Sequence, residues 1–149
     1  MKIAIGCDHG GIVLKDACIE ALNDLGLEYV DMGTYGTESV DYPDFAEKVA
    51  VAIQNGSCEK GILLCGTGIG ISIAANKFKG IRCAHITDLF CAQMASEHNN
   101  ANIISMGGRI TTPADAKEMV KKFFTTPFAE GRHAMRVGKI TDLENKNFK

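Results

Sequence analysis

Five short apolar segments, each followed by a stretch with helical periodicity, run through this chain. Nothing else in the sequence narrows the possible folds as far. Residues 2–7 (KIAIGC) are the first apolar segment. In residues 11–25, Leu14, Ala17, Cys18, Ala21, Leu22 and Leu25 then recur on one helical face, and Gly26 follows as a C-cap. Residues 28–32 (EYVDM) are the second strand and residues 33–42 a polar loop. Pro43 opens a helix whose apolar face is Phe45, Ala46, Val49, Ala50 and Ile53. The rhythm continues with strands at 61–65 (GILLC), 81–86 (IRCAHI) and 102–106 (NIISM). Helices are expected over SIAANK, over 87–98 and over 113–124.

Short apolar strands alternating with amphipathic helices call for a parallel sheet covered on both faces. The expected fold is α/β: a three-layer α/β/α sandwich around a Rossmann-like five-stranded parallel sheet, in the doubly wound order 2-1-3-4-5. Residues 1–149 are expected to form one domain. The tail from 130 onwards carries Arg132, His133, Arg136, Val137, Ile140 and Leu143. It is expected to form a C-terminal helix with few apolar anchors, suited to docking on a second subunit.

Composition removes several classes of function. Net charge is −2 with 23% charged residues, so no basic field exists for nucleic acid. No apolar run reaches the ~18–20 residues that span a bilayer, and the first apolar stretch is too short for a signal peptide. The expected location is the cytoplasm. Six cysteines without a CxxC pair argue against a zinc ribbon, a thioredoxin motif or a disulfide scaffold. Cys7, Cys18, Cys83 and Cys91 lie among apolar neighbours and are expected to be small buried hydrophobes.

The chemistry is expected at the carboxyl ends of the strands, near the topological switch point. The first strand ends in Asp8-His9-Gly10-Gly11 and the third in Cys65-Gly66-Thr67-Gly68-Ile69-Gly70. The glycine loop lacks the Lys-Ser/Thr of a P-loop, and Ile71 stands where a dinucleotide fingerprint needs its third glycine. What remains is a tight turn whose N–H groups can cradle an anion, or a plain strand-to-helix turn. Cys65 stands beside those N–H groups, which favour a thiolate, the reactive species; it is expected to act as nucleophile or general base, the alternative being an inert buried thiol. Glu97-His98-Asn99-Asn100 ends the fourth helix, expected at the crevice rim, where His98 either exchanges a proton near neutral pH or is a helix-capping or solvent-exposed histidine. His85, within a strand, is expected to pack. Arg132 and Arg136, spaced i, i+4, and Arg109 after Gly107-Gly108 suit a small phosphorylated substrate.

The segments GCDHGG, DYPDFA, GILLCGTGIGISIAANKFKGIR, EHNNANIISMGGR and GRHAMRV together resemble the type B ribose-5-phosphate isomerases and the related galactose-6-phosphate isomerase subunits. The resemblance runs nearly end to end. It implies interconversion of ribose 5-phosphate and ribulose 5-phosphate, a step of the non-oxidative pentose phosphate pathway. No metal or organic cofactor is implied. A homodimer with shared active sites is implied, and association of two dimers is left open. By position, Cys65 resembles the family's proton acceptor and His98 the acid that opens the furanose. Asp8, His9, Asn99, Arg109, Arg132 and Arg136 resemble substrate contacts, with the arginines at the phosphate. Gly66, Thr67, Gly68, Ile69 and Gly70 resemble the loop that holds the enediolate, and Tyr42 a pocket wall. Relatives without the cysteine use a glutamate where this chain has Ile71, so the chain resembles the cysteine-using branch. Two alternatives stand beside this: an isomerase of a six-carbon sugar phosphate (allose or galactose 6-phosphate), and a non-catalytic flavodoxin-like phosphate-binding domain.

Overall fold

A computed structural model describes all residues, Met1–Lys149. The five strands are β1 (Lys2–Cys7), β2 (Glu28–Asp31), β3 (Lys60–Cys65), β4 (Cys83–His85) and β5 (Ile103–Gly107). The helices are α1 (Lys15–Asp24), α2 (Tyr42–Gln54), α3 (Ile69–Ala75), α4 (Leu89–Glu97), α5 (Pro113–Thr125) and α6 (Arg132–Asn147). A short 3-10 turn, Ile12–Leu14, leads into α1. All strand pairs are parallel.

The sheet order is β2-β1-β3-β5-β4, which corrects the expected 2-1-3-4-5 at one edge. The physical reason lies in burial. β5 (IISMG) is buried at every position and occupies the interior next to β3, whereas β4 has three residues, all half-buried, and takes the edge. The α/β class and the adjacency of β1 and β3 are unaffected.

Two apolar layers hold the sandwich. On one face α1, α4 and α5 cover Ile3, Ile5, Ile62, Leu64, Ile104 and Met106. On the other α2 and α3 cover Ala4, Leu63, Cys65 and Ile103. Successive strand residues point to opposite faces, so each strand feeds both layers. The two prolines of the helix starts, Pro43 in α2 and Pro113 in α5, sit in the first turn, where a missing N–H costs nothing. Thr112 caps α5 by accepting the Asp115 N–H, and Asp88 caps α4 by accepting the Cys91 N–H.

α6 differs from the others. It buries none of its residues, and Met135, Ile140 and Leu143 are exposed at 60%, 48% and 60%. No helix is long and apolar enough to cross a membrane.

All six cysteines are free. Cys7 and Cys18 are buried and Cys83 is half-buried, and burial pushes these thiols up to about 11, 12 and 12. Cys91 is exposed, contrary to the expectation of a buried thiol. The buried stripe of α4 runs through Ala92, Ala95 and Ser96, and Cys91 falls beside it.

Candidate active site

The carboxyl ends of β1, β3 and β5 meet around a cleft of about 410 Å³ lined by Asp8, His9, Gly10, Tyr42, Cys65, Gly66, Thr67, Ile69, Gly70 and Arg109. Register explains the convergence. Cys7 pairs with Leu64 and Cys65 with Gly107, so the three strands run out together. The loops beyond them are laced by main-chain bonds: Asp8 N–H donates to Leu64 O, Gly108 N–H to Cys65 O, and Arg109 N–H to Gly66 O. The place of β5 beside β3 therefore brings Arg109 to the cysteine.

Each cleft group has a defined partner. Asp8 is buried, and its Oδ1 accepts the N–H groups of Gly10 (2.8 Å) and Gly11 (3.0 Å). His9 Nδ1 accepts the Val40 N–H at 3.2 Å, which puts the proton of the neutral ring on Nε2. Tyr42 opens α2 and reaches the cleft from the other face.

The glycine loop forms the floor. Gly68, at φ +83, turns the chain from β3 into α3, a left-handed conformation that glycine takes without strain. Its N–H donates to Cys65 Sγ at 3.1 Å. Thr67 Oγ1 accepts the Ile69 N–H at 3.1 Å, leaving its own proton free to donate. The N–H groups of Gly66, Thr67 and Gly70 have no partner within the chain. A thiol receiving an N–H, unpaired amides, a hydroxyl and a guanidinium in one cleft can take up a proton beside an oxygen that gains negative charge.

The remaining candidates lie elsewhere. His98 caps the C-terminal end of α4, which corrects its expected place at the crevice rim. α4 returns the chain to the start of β5, and Ile103 there pairs with Gly61, four residues before Cys65. Four strand residues span about 13 Å. His98 Nε2 pairs with Glu97 Oε2 at 3.3 Å, and its ring stacks on His133 of α6. Arg132 and Arg136 flank His133 on that helix and act on its charge. Asn99 lines a separate cleft of about 510 Å³ beneath α6, with Arg82, Leu143 and Phe148. The chain thus presents two groups of candidates: one around Cys65, one around His98.

Two supports of the loop escaped the sequence reading. Ser105 of β5 donates from Oγ to Gly68 O at 2.9 Å, and His85 at the end of β4 lies with Nε2 2.8 Å from Thr67 O. The signal would have been the strand order, which puts the last two strands beside the loop. No three His, Cys, Asp or Glu side chains converge in a way that could ligate a metal ion.

Known proteins share this fold over nearly the whole chain. The model of the Ribose/Galactose Isomerase family matches residues 3–140. The chain belongs to this family. Ribose-5-phosphate isomerase B of Escherichia coli is 43% identical over 145 residues, 97% of each chain. The structure of ribose-5-phosphate isomerase B from Clostridium thermocellum superposes with a TM-score of 0.94 at 51% identity, covering 98% of this chain and 99% of that one. The Mycoplasma genitalium ribose-5-phosphate isomerase B, solved with bound ribulose-5-phosphate, gives a TM-score of 0.92 at 36% identity, covering 98% and 97%.

Proposed function

We propose that the chain interconverts ribose 5-phosphate and ribulose 5-phosphate through a cis-enediolate, with Cys65 as the base. One observation carries this reading: the Gly68 N–H aimed at Cys65 Sγ at 3.1 Å, beside amides with no other partner. That N–H sets a main-chain dipole with its positive end towards the sulfur, at the mouth of the cleft. The thiolate removes the proton from C2 of the open-chain aldose. The electron pair of that C–H bond becomes the C1=C2 bond, and negative charge moves to O1. The amides of Gly66, Thr67 and Gly70 hold that oxygen, an effect worth ~3–4 kcal/mol per donor in comparable sites. Thr67 passes a proton between O2 and O1, and the Cys65 thiol returns its proton to C1, which yields the ketose. Asp8 and His9 contact the sugar, Arg109 lies at its phosphate end, Ile69 and Gly68 complete the loop, and Tyr42 walls the pocket.

The reading also assigns the second group of residues. A second copy of the chain brings His98, Asn99, Arg132 and Arg136 to the cleft, where His98 protonates the ring oxygen of the furanose and the arginines bind the phosphate. Two features support a homodimer of this kind. His98 and Cys65 sit at opposite ends of the strands of one chain, and α6 leaves its apolar side exposed. The phosphate is remote from the reacting carbons, so its binding energy serves orientation. A cytoplasmic location belongs to the same reading.

Incubation with ribose 5-phosphate, with ribulose 5-phosphate as the product followed, tests the proposal. Turnover with a kcat/KM above that for allose and galactose 6-phosphates is the expected result. A preference for a six-carbon phosphate would reassign the substrate, and binding without turnover would overturn catalysis.

A further inference from the structure

We infer that His85 is a positioning residue for Cys65, acting through the Thr67–Gly68 peptide. The inference rests on the reading of Cys65 as the reactive group and adds a residue to it.

The geometry is a chain of two hydrogen bonds across one peptide unit. Thr67 O lies 2.8 Å from His85 Nε2, so the ring donates and the carbonyl accepts. The N–H of the same peptide unit belongs to Gly68, and it donates to Cys65 Sγ at 3.1 Å. A peptide is planar, and in the trans form its C=O and N–H point in opposite directions. Pinning the oxygen therefore aims the hydrogen. His85 holds one end of this plane and the sulfur receives the other.

The imidazole does more than fix an angle. A donor on the carbonyl polarises the peptide, so its N–H becomes a stronger donor. That N–H is the one main-chain donor on the sulfur. The next carbonyl, Gly68 O, is held by Ser105 Oγ at 2.9 Å, so two successive carbonyls of the loop are tied to β4 and β5. The ring also packs against the loop itself, since a Cβ at Gly68 would stand 2.8 Å from His85 Cδ2. His85 lines no part of the Cys65 cleft, which leaves it no direct role at the substrate.

His85→Leu and His85→Gln separate this role from packing. The glutamine amide can place a donor near the position of Nε2; leucine cannot. The first readout is alkylation of Cys65 by iodoacetamide at neutral pH, followed by peptide mass spectrometry in a Cys91→Ser background. It reports thiolate and needs no turnover. His85→Leu should slow Cys65 alkylation about three- to tenfold, the change in equilibrium that loss of one neutral hydrogen bond carries. His85→Gln should restore most of the rate. The second readout is ribose 5-phosphate turnover, where kcat should fall in His85→Leu with KM little changed. Wild-type alkylation in His85→Leu overturns the inference, as does His85→Gln behaving no better than His85→Leu. If the unaltered protein fails to isomerise ribose 5-phosphate while the alkylation pattern holds, the proposed reaction falls and the role of His85 stands.

Discussion

The rings of His98 and His133 lie stacked, with centroids 4.0 Å apart and planes 12° from parallel. Two imidazoles in this arrangement cannot both carry charge cheaply. His133 is held below the usual histidine range, first by partial desolvation, then by the charges of His98, Arg132 and Arg136, with Glu97 opposing them. A histidine with a lowered value binds protons more readily unfolded than folded, so stability rises with pH across that interval. As pH falls from the ordinary histidine range towards the lower folded value, the chain should lose stability. His133→Gln should flatten that part of the profile, as urea unfolding at a series of pH values would read.

Cys65→Ala should abolish proton transfer and spare binding. General base groups contribute about 10²–10⁴-fold, so kcat should fall by at least that lower figure while the KM for ribose 5-phosphate changes little. Exchange of the C2 proton in D₂O isolates the step. Exchange persisting in the variant would assign the base elsewhere.

Gly107→Ala tests how the loop is seated. A Cβ at this position would stand 2.4 Å from the Thr67 carbonyl carbon and 2.5 Å from its oxygen. Both are main-chain atoms, so no side-chain rotation relieves the clash. Overpacking of this kind costs about 1–3 kcal/mol. Thermal unfolding should show a Tm lowered by about 2–4 °C for each kcal/mol in a chain of this length. Activity should fall further than stability, since the strain enters at Thr67.

Lys15 and Asp31 form the one buried ion pair, 3.0 Å apart, with Lys15 at 7% side-chain exposure and Asp31 at 27%. Lys15 Nζ also donates to Thr34 O, and its ammonium lies 4.8 Å from the centre of the Tyr35 ring. The two truncations should therefore differ. Asp31→Ala leaves an ammonium buried without its carboxylate, which costs about 3–5 kcal/mol at such sites. Lys15→Met leaves a carboxylate that still reaches water and accepts the Gly33 N–H at 3.0 Å. It should destabilise less, as denaturant midpoints would show.

Much of this arrangement was legible in the residues. Asp8 and Cys65 follow apolar runs whose ends a parallel sheet sets side by side, and the glycines between Cys65 and Gly70 announce a tight turn into a helix. The order of β4 and β5 was not legible in the same way. Sequential strands usually neighbour one another, and only the three-residue length of β4 and the complete burial of β5 reverse the pair. His98 was misplaced for a related reason. Its chemistry suggested the crevice, whereas a helix that follows one parallel strand must end where the next begins. The bond from Ser105 to Gly68 O, 37 residues apart, depends on β5 lying beside β3.

The separation of His98 from Cys65 within one chain leads to the sharpest test of the shared site. If each site takes Cys65 from one subunit and His98 from the other, Cys65→Ala and His98→Asn homodimers are both impaired at every site. A mixed dimer is different: one of its sites collects both substitutions, and the other receives an intact Cys65 and an intact His98. With random reassociation, half of the dimers are mixed and half of their sites are whole, so about a quarter of wild-type activity should return. The measurement is ribose 5-phosphate turnover after the two variants are unfolded together and refolded in equal amounts. Activity equal to the mean of the separate variants would place both residues in the site of a single chain and remove the second copy from the mechanism.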